Sequence, residues 1–296
     1  MSSNNKFKEV LGCKYPIVAM AMNQVSDIKL AKAVRYAGGI PSLSVFNYGI
    51  EIDLAKMEED FIVYQQEFND SKLLFSISLN ELVLDKILNI IIKYKIEFIE
   101  LILDSDGADT LLISDALSKL KANNIKVFVK CLGIKDIRTD VDGFILKGVN
   151  GAGRGYNDLT ELFGIIKDKC PNAYIIVSGG IGTAEQVKYF IDNGALAVGL
   201  GTVLAASEES RISNETKLKF IESSSADITR FDQGARQNSL VFRKLDNEDF
   251  NHTAGLKIGI KNPNYGHVFV GTSIDNITTI KSVADILQEL TATLEL

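Results

Sequence analysis

The chain has 296 residues, 46% hydrophobic and 24% charged, with a formal net charge of −6. That is ample apolar material for a large core, and an acidic balance without a long basic run excludes a nucleic-acid or anionic-membrane surface. No apolar run approaches the ~20 residues of a membrane span, and the opening MSSNNKFKEV has no apolar segment of a secretory signal.

Three widely spaced cysteines, Cys13, Cys131 and Cys170, form no CxxC or C…H ligand pattern. Neither a disulfide framework nor a structural zinc is expected, and a cytoplasmic protein is the default. In chain order, short apolar runs fall at 15–20 (YPIVAM), 39–45 (GIPSLSV), 72–79 (KLLFSISL) and 97–103 (EFIELIL). Four more follow at 125–131 (IKVFVKC), 142–148 (DGFILKG), 173–179 (AYIIVSG) and 195–201 (ALAVGLG). Runs this short and this apolar read as parallel strands buried on both faces.

Helical spacing lies between them, in DIKLAKAVRYAGG, ELVLDKILNIIIKYK, ADTLLISDALSKLKANN, NDLTELFGIIKDK and TAEQVKYFIDNG. Several of these open on Asp, Asn or Thr and stop at Asn or Gly, as helix caps do. LGIKDIRTDV, between the fifth and sixth runs, is too short for a full helix and predicts one degenerate turn. Eight βα units with no GxGxxG after the first strand predict an α/β fold, a (β/α)8 TIM barrel, over the rival doubly wound sheet.

A less regular segment at about 211–276 follows the eighth strand. TTIKSVADILQELTATLEL then predicts an amphipathic eighth helix, with Ile280, Val283, Ala284, Leu287, Leu290 and Leu294 on one side. The expected organisation is a barrel of residues 12–210 and 277–296, with 211–276 inserted between strand eight and helix eight. Such an insertion lies on the substrate side, because βα loops gather at the face where barrel sites are built.

SGGIGTAEQ (178–186) and GLGTVLAASEES (199–210) each place glycines at a strand end and then open a helix. This pair of loops is the usual phosphate site of barrels, so Gly179, Gly180, Gly201 and Thr202 are expected donors. Lys130 and Lys147 end strands five and six after apolar runs, which faces them toward the barrel mouth; the other reading is a solvated strand-end lysine. KGVNGAGRGYND (147–158) is the loop after strand six.

These stretches resemble the nitronate monooxygenase (2-nitropropane dioxygenase-like) flavoproteins, a group that includes FMN-dependent enoyl-ACP reductases of the FabK type. The resemblance rests on PIVAMAMNQVSDIKLAKAVRYAGGI, with Met22, Val25, Ser26 and Ala37-Gly38-Gly39. It rests also on the block SGGIGTAEQVKYFIDNGALAVGLGTVLAASEES, and on FDQGARQN and HVFVGTSIDNITTIKSVADIL nearer the end. It implies FMN, with the phosphate on Gly179-Gly180 and Gly201-Thr202 and Ser178 close by. Ala21, Met22 and Asn23 would run along the isoalloxazine, and Lys130 would approach the flavin.

The chain departs from that pattern at several positions. Ser78, with Asn80 nearby, stands where the family usually has Asn, and Gly199 where many members have Gln. The family's strand-six loop carries Glu-Ala-Gly-Gly-His, its histidine acting as base; here the segment is Asn150-Gly151-Ala152-Gly153-Arg154. An arginine holds its proton and cannot act as that base. Arg154 is either a clamp for an anionic substrate such as a nitronate or a carboxylate, or a solvated loop residue. His252 and His267 read as surface or packing residues, Cys131 as buried packing, and Glu58-Glu59 and Glu208-Glu209 as solvated faces.

The resemblance leaves three functions open. The first is an FMN-dependent oxidoreductase oxidising a small nitronate-like or other anionic substrate. The second is an NAD(P)H-dependent FMN enoyl-thioester reductase. The third is a non-catalytic binder of FMN or a phosphorylated ligand. The expected partners are a small-molecule substrate, NAD(P)H as candidate electron donor, and, as an open alternative, further copies of the chain.

Overall fold

The structure, a computed structural model, describes residues 6–49, 51–79, 83–103, 110–231, 237–243 and 252–295. Asn80 and the stretch 232–236 of FDQGARQN lie outside the described residues.

The wall consists of parallel strands β1 (Ile17–Ala19), β2 (Ser42–Ser44), β3 (Leu74–Ser78), β4 (Phe98–Ile102), β5 (Lys126–Cys131) and β6 (Gly143–Lys147). After the two-residue β7 (Gly153–Arg154), which stands outside the wall, it is completed by β8 (Tyr174–Ser178) and β9 (Ala197–Leu200). The spatial order β1-β9-β8-β6-β5-β4-β3-β2 leaves β1 beside β2, and a parallel bridge between Val18 and Ile40 joins them. This is the (β/α)8 barrel expected from the alternation of runs.

Helices α2 (Ile28–Tyr36), α3 (Leu54–Phe68), α4 (Leu84–Lys93), α5 (Thr110–Ala122), α6 (Leu159–Lys169) and α7 (Ala184–Asp192) follow the short α1 (Lys6–Val10) in chain order. The caps read from the sequence are present. Asp27 accepts from Leu30 N–H at 2.9 Å, Asp158 from Thr160 and Glu161 N–H, and Thr183 and Gln186 form a reciprocal capping box. The expected degenerate turn between β5 and β6 is a 3-10 turn at Ile134–Asp136. Helix α3 is an addition to the helices read from the sequence. Its charged stretch carries Glu58 and Glu59, which form the surface ion pairs Lys93–Glu58 and Lys56–Glu59.

Period-two alternation divides each strand between two cores. Phe144, Leu146, Val127, Val129 and their counterparts point outward and pack under the helices. Val18, Ile40, Leu74, Phe98, Phe128, Ile145 and Ile176 point inward, where Phe7 and Leu11 from the α1 region join them. At the carboxyl ends of the strands the inward positions turn polar or small: Ser42 and Ser44, Ser76 and Ser78, Glu100, Lys130, Lys147, Ser178, and Gly199.

Beyond β9 come α8 (Thr202–Ala205), α9 (Asn214–Glu222), strands β10 (Ile228–Phe231) and β11 (Gln237–Arg243), α10 (His252–Gly259), β12 (Gly266–Phe269) and α11 (Val283–Thr291). Strands β10, β11 and β12 are antiparallel, and β11 also pairs with β7, so a small sheet is tied to the loop after β6. The amphipathic face of α11 is Val283, Ile286, Leu287 and Leu290. Ala284 is exposed, contrary to the sequence reading, because a helix that buries 283, 287 and 290 brings 286 inward and turns 284 out. Glu209 also differs from expectation: its carboxylate accepts from Val283 N–H at 3.0 Å and braces the start of α11. No helix among the described residues is long and apolar enough to cross a membrane.

Candidate active site

A cavity of about 580 Å³ opens at the carboxyl ends of the barrel strands, within the size range of small-molecule sites. Every site residue named from the sequence lines it: Ala21, Met22, Asn23, Ser78, Lys130, Lys147, Arg154, Ser178, Gly179, Gly180, Gly201 and Thr202.

The loop after β1 is braced internally. Ser26 Oγ accepts from Met22 N–H at 2.9 Å, and Asn47 Oδ1 accepts from Gln24 N–H at 2.7 Å, where the backbone turns left-handed at Gln24 (φ 62°). The Met22 amide is therefore already engaged within the loop. On the neighbouring strand β9, Gly199 makes room for Met20: a Cβ at 199 would lie 2.4 Å from Met20 Sδ.

The glycines after β6 and β8 allow two loops to touch. A Cβ on Gly151 would lie 3.0 Å from Gly179 Cα, and one on Gly179 would lie 3.0 Å from Gly148 N. Above Gly201 the space is open, the nearest heavy atom to a Cβ there being Met22 Sδ at 4.0 Å. Two hydroxyls near these loops have partners in the protein. Ser178 Oγ donates to Leu146 O at 2.8 Å, and Thr202 Oγ1 accepts from Gly271 N–H at 2.9 Å.

Charge concentrates on the β5 and β6 side. Lys130, Lys135, Lys147 and Arg154 line the cavity there, with Asp136 as the carboxylate among the lining residues. Asp136 accepts from Leu132 and Gly133 N–H, which commits it to its own turn. Glu100, on the inner face of β4, is wholly buried, and its Oε1 lies 3.3 Å from Lys130 Nζ. Neither oxygen of Glu100 accepts a hydrogen bond among the described residues, and buried Ser76 Oγ, which lines the cavity, also lacks one. Lys147 is half-buried at the cavity wall. Burial first, then the neighbouring Lys130, lower its amine from the ordinary lysine value to about 7, with Glu100 opposing and Arg154 adding to the effect.

Residues from the distant segment complete the rim. Leu256, Val268 and Phe269 form an apolar side. Asn238, 2% exposed, donates to Val149 O at 2.7 Å and Gly151 O at 2.8 Å, fixing the loop that carries Arg154. Asn238 stood in a recognised motif, but its contact across the chain is visible only in the fold. His267 is buried and stacks edge-on against Phe269 at 5.2 Å; it packs the small sheet and does not line the cavity. Cys131 is likewise off the cavity, buried with its thiol toward Gly133 O and pushed up to about 12.

A sequence profile described as nitronate monooxygenase matches residues 45–293. The chain belongs to the nitronate monooxygenase family. Among solved structures, FabK from Thermotoga maritima superposes with a TM-score of 0.82 at 21% identity, over 97% of this chain and 94% of that one. Nitroalkane oxidase from Streptomyces ansochromogenes gives a TM-score of 0.77 at 16% identity, over 97% of both chains. The enoyl reductase domain of MlnA from the macrolactin biosynthesis cluster of Bacillus amyloliquefaciens gives 0.74 at 12%, over 97% and 95%. No curated protein sequence matches the chain. Nitronate monooxygenase family members are FMN oxidoreductases, and the (β/α)8 fold of the three solved structures is the one described above.

Proposed function

We propose that this chain is an FMN-dependent oxidoreductase that oxidises a small nitronate-like or other anionic substrate at the flavin. The observation carrying this reading is the convergence of every site residue named from the sequence on one cavity, with the glycine loops after β8 and β9 beside the cations of β5 and β6. The residues fit FMN. The open space above Gly201 gives a phosphate room to approach the backbone beside Gly179-Gly180 and Thr202. The orphaned Ser76 hydroxyl supplies a hydrogen-bonding group at the cavity wall.

When bound, FMN would supply the two-electron chemistry. The chain's own groups hold the reactants. Ala21, Met22 and Asn23 would border the ring, Lys130 would set positive charge beside it, and Arg154 would clamp the substrate anion. With a flavin phosphate in the glycine loops and Lys130 beside the ring, Arg154 at the rim is left for a second anion.

The apolar side formed by Leu256, Val268 and Phe269 favours a second reading, an NAD(P)H-dependent enoyl-thioester reductase whose acyl chain would lie there. Purified protein is expected to be yellow or to take up added FMN; a colourless preparation that binds none would overturn both readings. Gly201→Asp should abolish FMN retention with the circular dichroism unchanged. The site has room for the side chain, so the loss would come from a carboxylate facing the phosphate. Oxygen-dependent turnover of alkyl nitronates supports the first reading and NAD(P)H-dependent reduction of crotonyl thioesters the second. Bound FMN with neither reaction would indicate a binding protein.

A further inference from the structure

We propose that Lys147 is the proton-accepting residue of the site: its neutral amine removes a proton from a carbon acid, a nitro or carbonyl compound bound in the cavity. The proposal rests on the oxidoreductase reading above and names a residue that makes the anionic substrate in place.

Two lysines reach the cavity from neighbouring strands, and their surroundings differ. Lys130 on β5 pairs with Ile145 in the strand register, so Lys147, two residues further along β6, stands one layer nearer the mouth. Lys130 has the buried Glu100 carboxylate 3.3 Å away as counter-charge. Among the described residues Lys147 has no ion pair of its own; what faces it is largely cationic, Lys130 from β5 and Arg154 from β7, with Glu100 from β4 beyond. Tyr156, Lys135 and Asp136 line the same cavity. Of the two lysines, Lys130 has a carboxylate within ion-pair distance, and Lys147 faces mainly cations.

The glycines beside Lys147 keep the amine accessible. A Cβ on Gly153 would lie 3.6 Å from Lys147 Nζ, and one on Gly151 would lie 3.1 Å from Lys147 Cε. The amine therefore lies beside the bare backbone of Gly153 at the cavity wall. Its lowered value, about 7, leaves a large neutral fraction at neutral pH.

The step balances without an oxidant. The substrate's C–H bond breaks and an N–H bond forms on Nζ. The electron pair stays on the substrate as a nitronate or enolate, with its charge on oxygen. Lys130 and Arg154, which line the same cavity, would receive that oxygen, and the Lys147 ammonium later returns its proton to water.

Two measurements test this. In the first, the protein as purified is acetylated in brief pulses at pH 6–10 and each lysine is read by peptide mass. Lys147 should reach half-maximal reactivity near pH 7, well below the surface lysines; labelling in step with the surface lysines would overturn the proposal. The second compares 2-nitropropane with its preformed nitronate on the FMN-loaded protein. Lys147→Met should lower the ratio of kcat on the neutral compound to kcat on the nitronate about 100-fold or more. Lys147→Arg, which keeps the charge but cannot give up a proton, should not restore it, and restoration by Arg would overturn the proposal. If FMN-loaded wild type turns over neither compound, the proposal falls with the nitronate reading. Early labelling of Lys147 would then place the failure in the reaction and not in the titration.

Discussion

Arg154 stands on a two-residue strand at the cavity rim, exposed to solvent, opposite Gln237 in the ladder with β11. An exposed guanidinium binds an anion for a modest gain, so Arg154→Ala should raise KM about 10-fold, ~1.4 kcal/mol, with a smaller change in kcat. Steady-state kinetics with an alkyl nitronate measure this, and an unchanged KM would return Arg154 to an ordinary loop residue. At this scale much of the site was legible. A lysine ending an apolar strand is a candidate for the mouth, with a solvated strand end as the other reading, and paired glycines after strands seven and eight mark a backbone that a ligand can approach. The difference between Lys130 and Lys147 was not legible, because it depends on Glu100. Within EFIELIL that residue resembles a stray polar position, and only closure of the barrel brings it 3.3 Å from a lysine of the next strand.

The loop after β6 depends on an element far away in the chain. Asn238 spends its amide on the carbonyls of Val149 and Gly151, so its removal takes the donor from one buried and one partly buried acceptor. Asn238→Ala should destabilise the protein by about 1–3 kcal/mol, read from the urea midpoint. It should also loosen FMN retention, since the same loop packs on Gly179. An unaltered midpoint would show that the ladder of β7 with β11 suffices without the side chain. Elements with clean periodicity and caps, such as α2, α6 and α7, were readable one by one. Helix α3 was not, because LAKMEEDFIVYQQEF mixes charge into its apolar spacing. The small sheet of β10, β11 and β12 was not either, since its strands are identified by partners distant in sequence.

The barrel as a whole has an apolar floor and a polar mouth. Phe7 and Leu11, each 2% exposed, join Leu74, Phe98 and Phe128 in the interior. Residues ahead of β1 thus complete the core, although the sequence reading began the barrel at residue 12. Phe7→Ala should cost about 3–5 kcal/mol, the usual range for an aromatic truncated in a core, as a fall in the urea midpoint. A loss below ~1 kcal/mol would mean that α1 covers the barrel without contributing to its packing. Eight short runs were sufficient to name the barrel because closure demands little beyond alternation. What lies inside it depends on which inward position is polar, and that emerges only when the strands are in register.

The pairing of Gln237 and Asn238 with Arg154 and Gly153 has a further consequence. The chain holds its distinctive arginine between two stretches more than eighty positions apart, so neither stretch is an independent module. A chimera that imports the strand-six loop of a relative, to exchange Arg154 for that relative's residue, inherits a backbone shaped for a different partner strand. The working unit of exchange is the loop together with 237–243, and a transplant of either alone is expected to give a folded barrel with a misaligned rim.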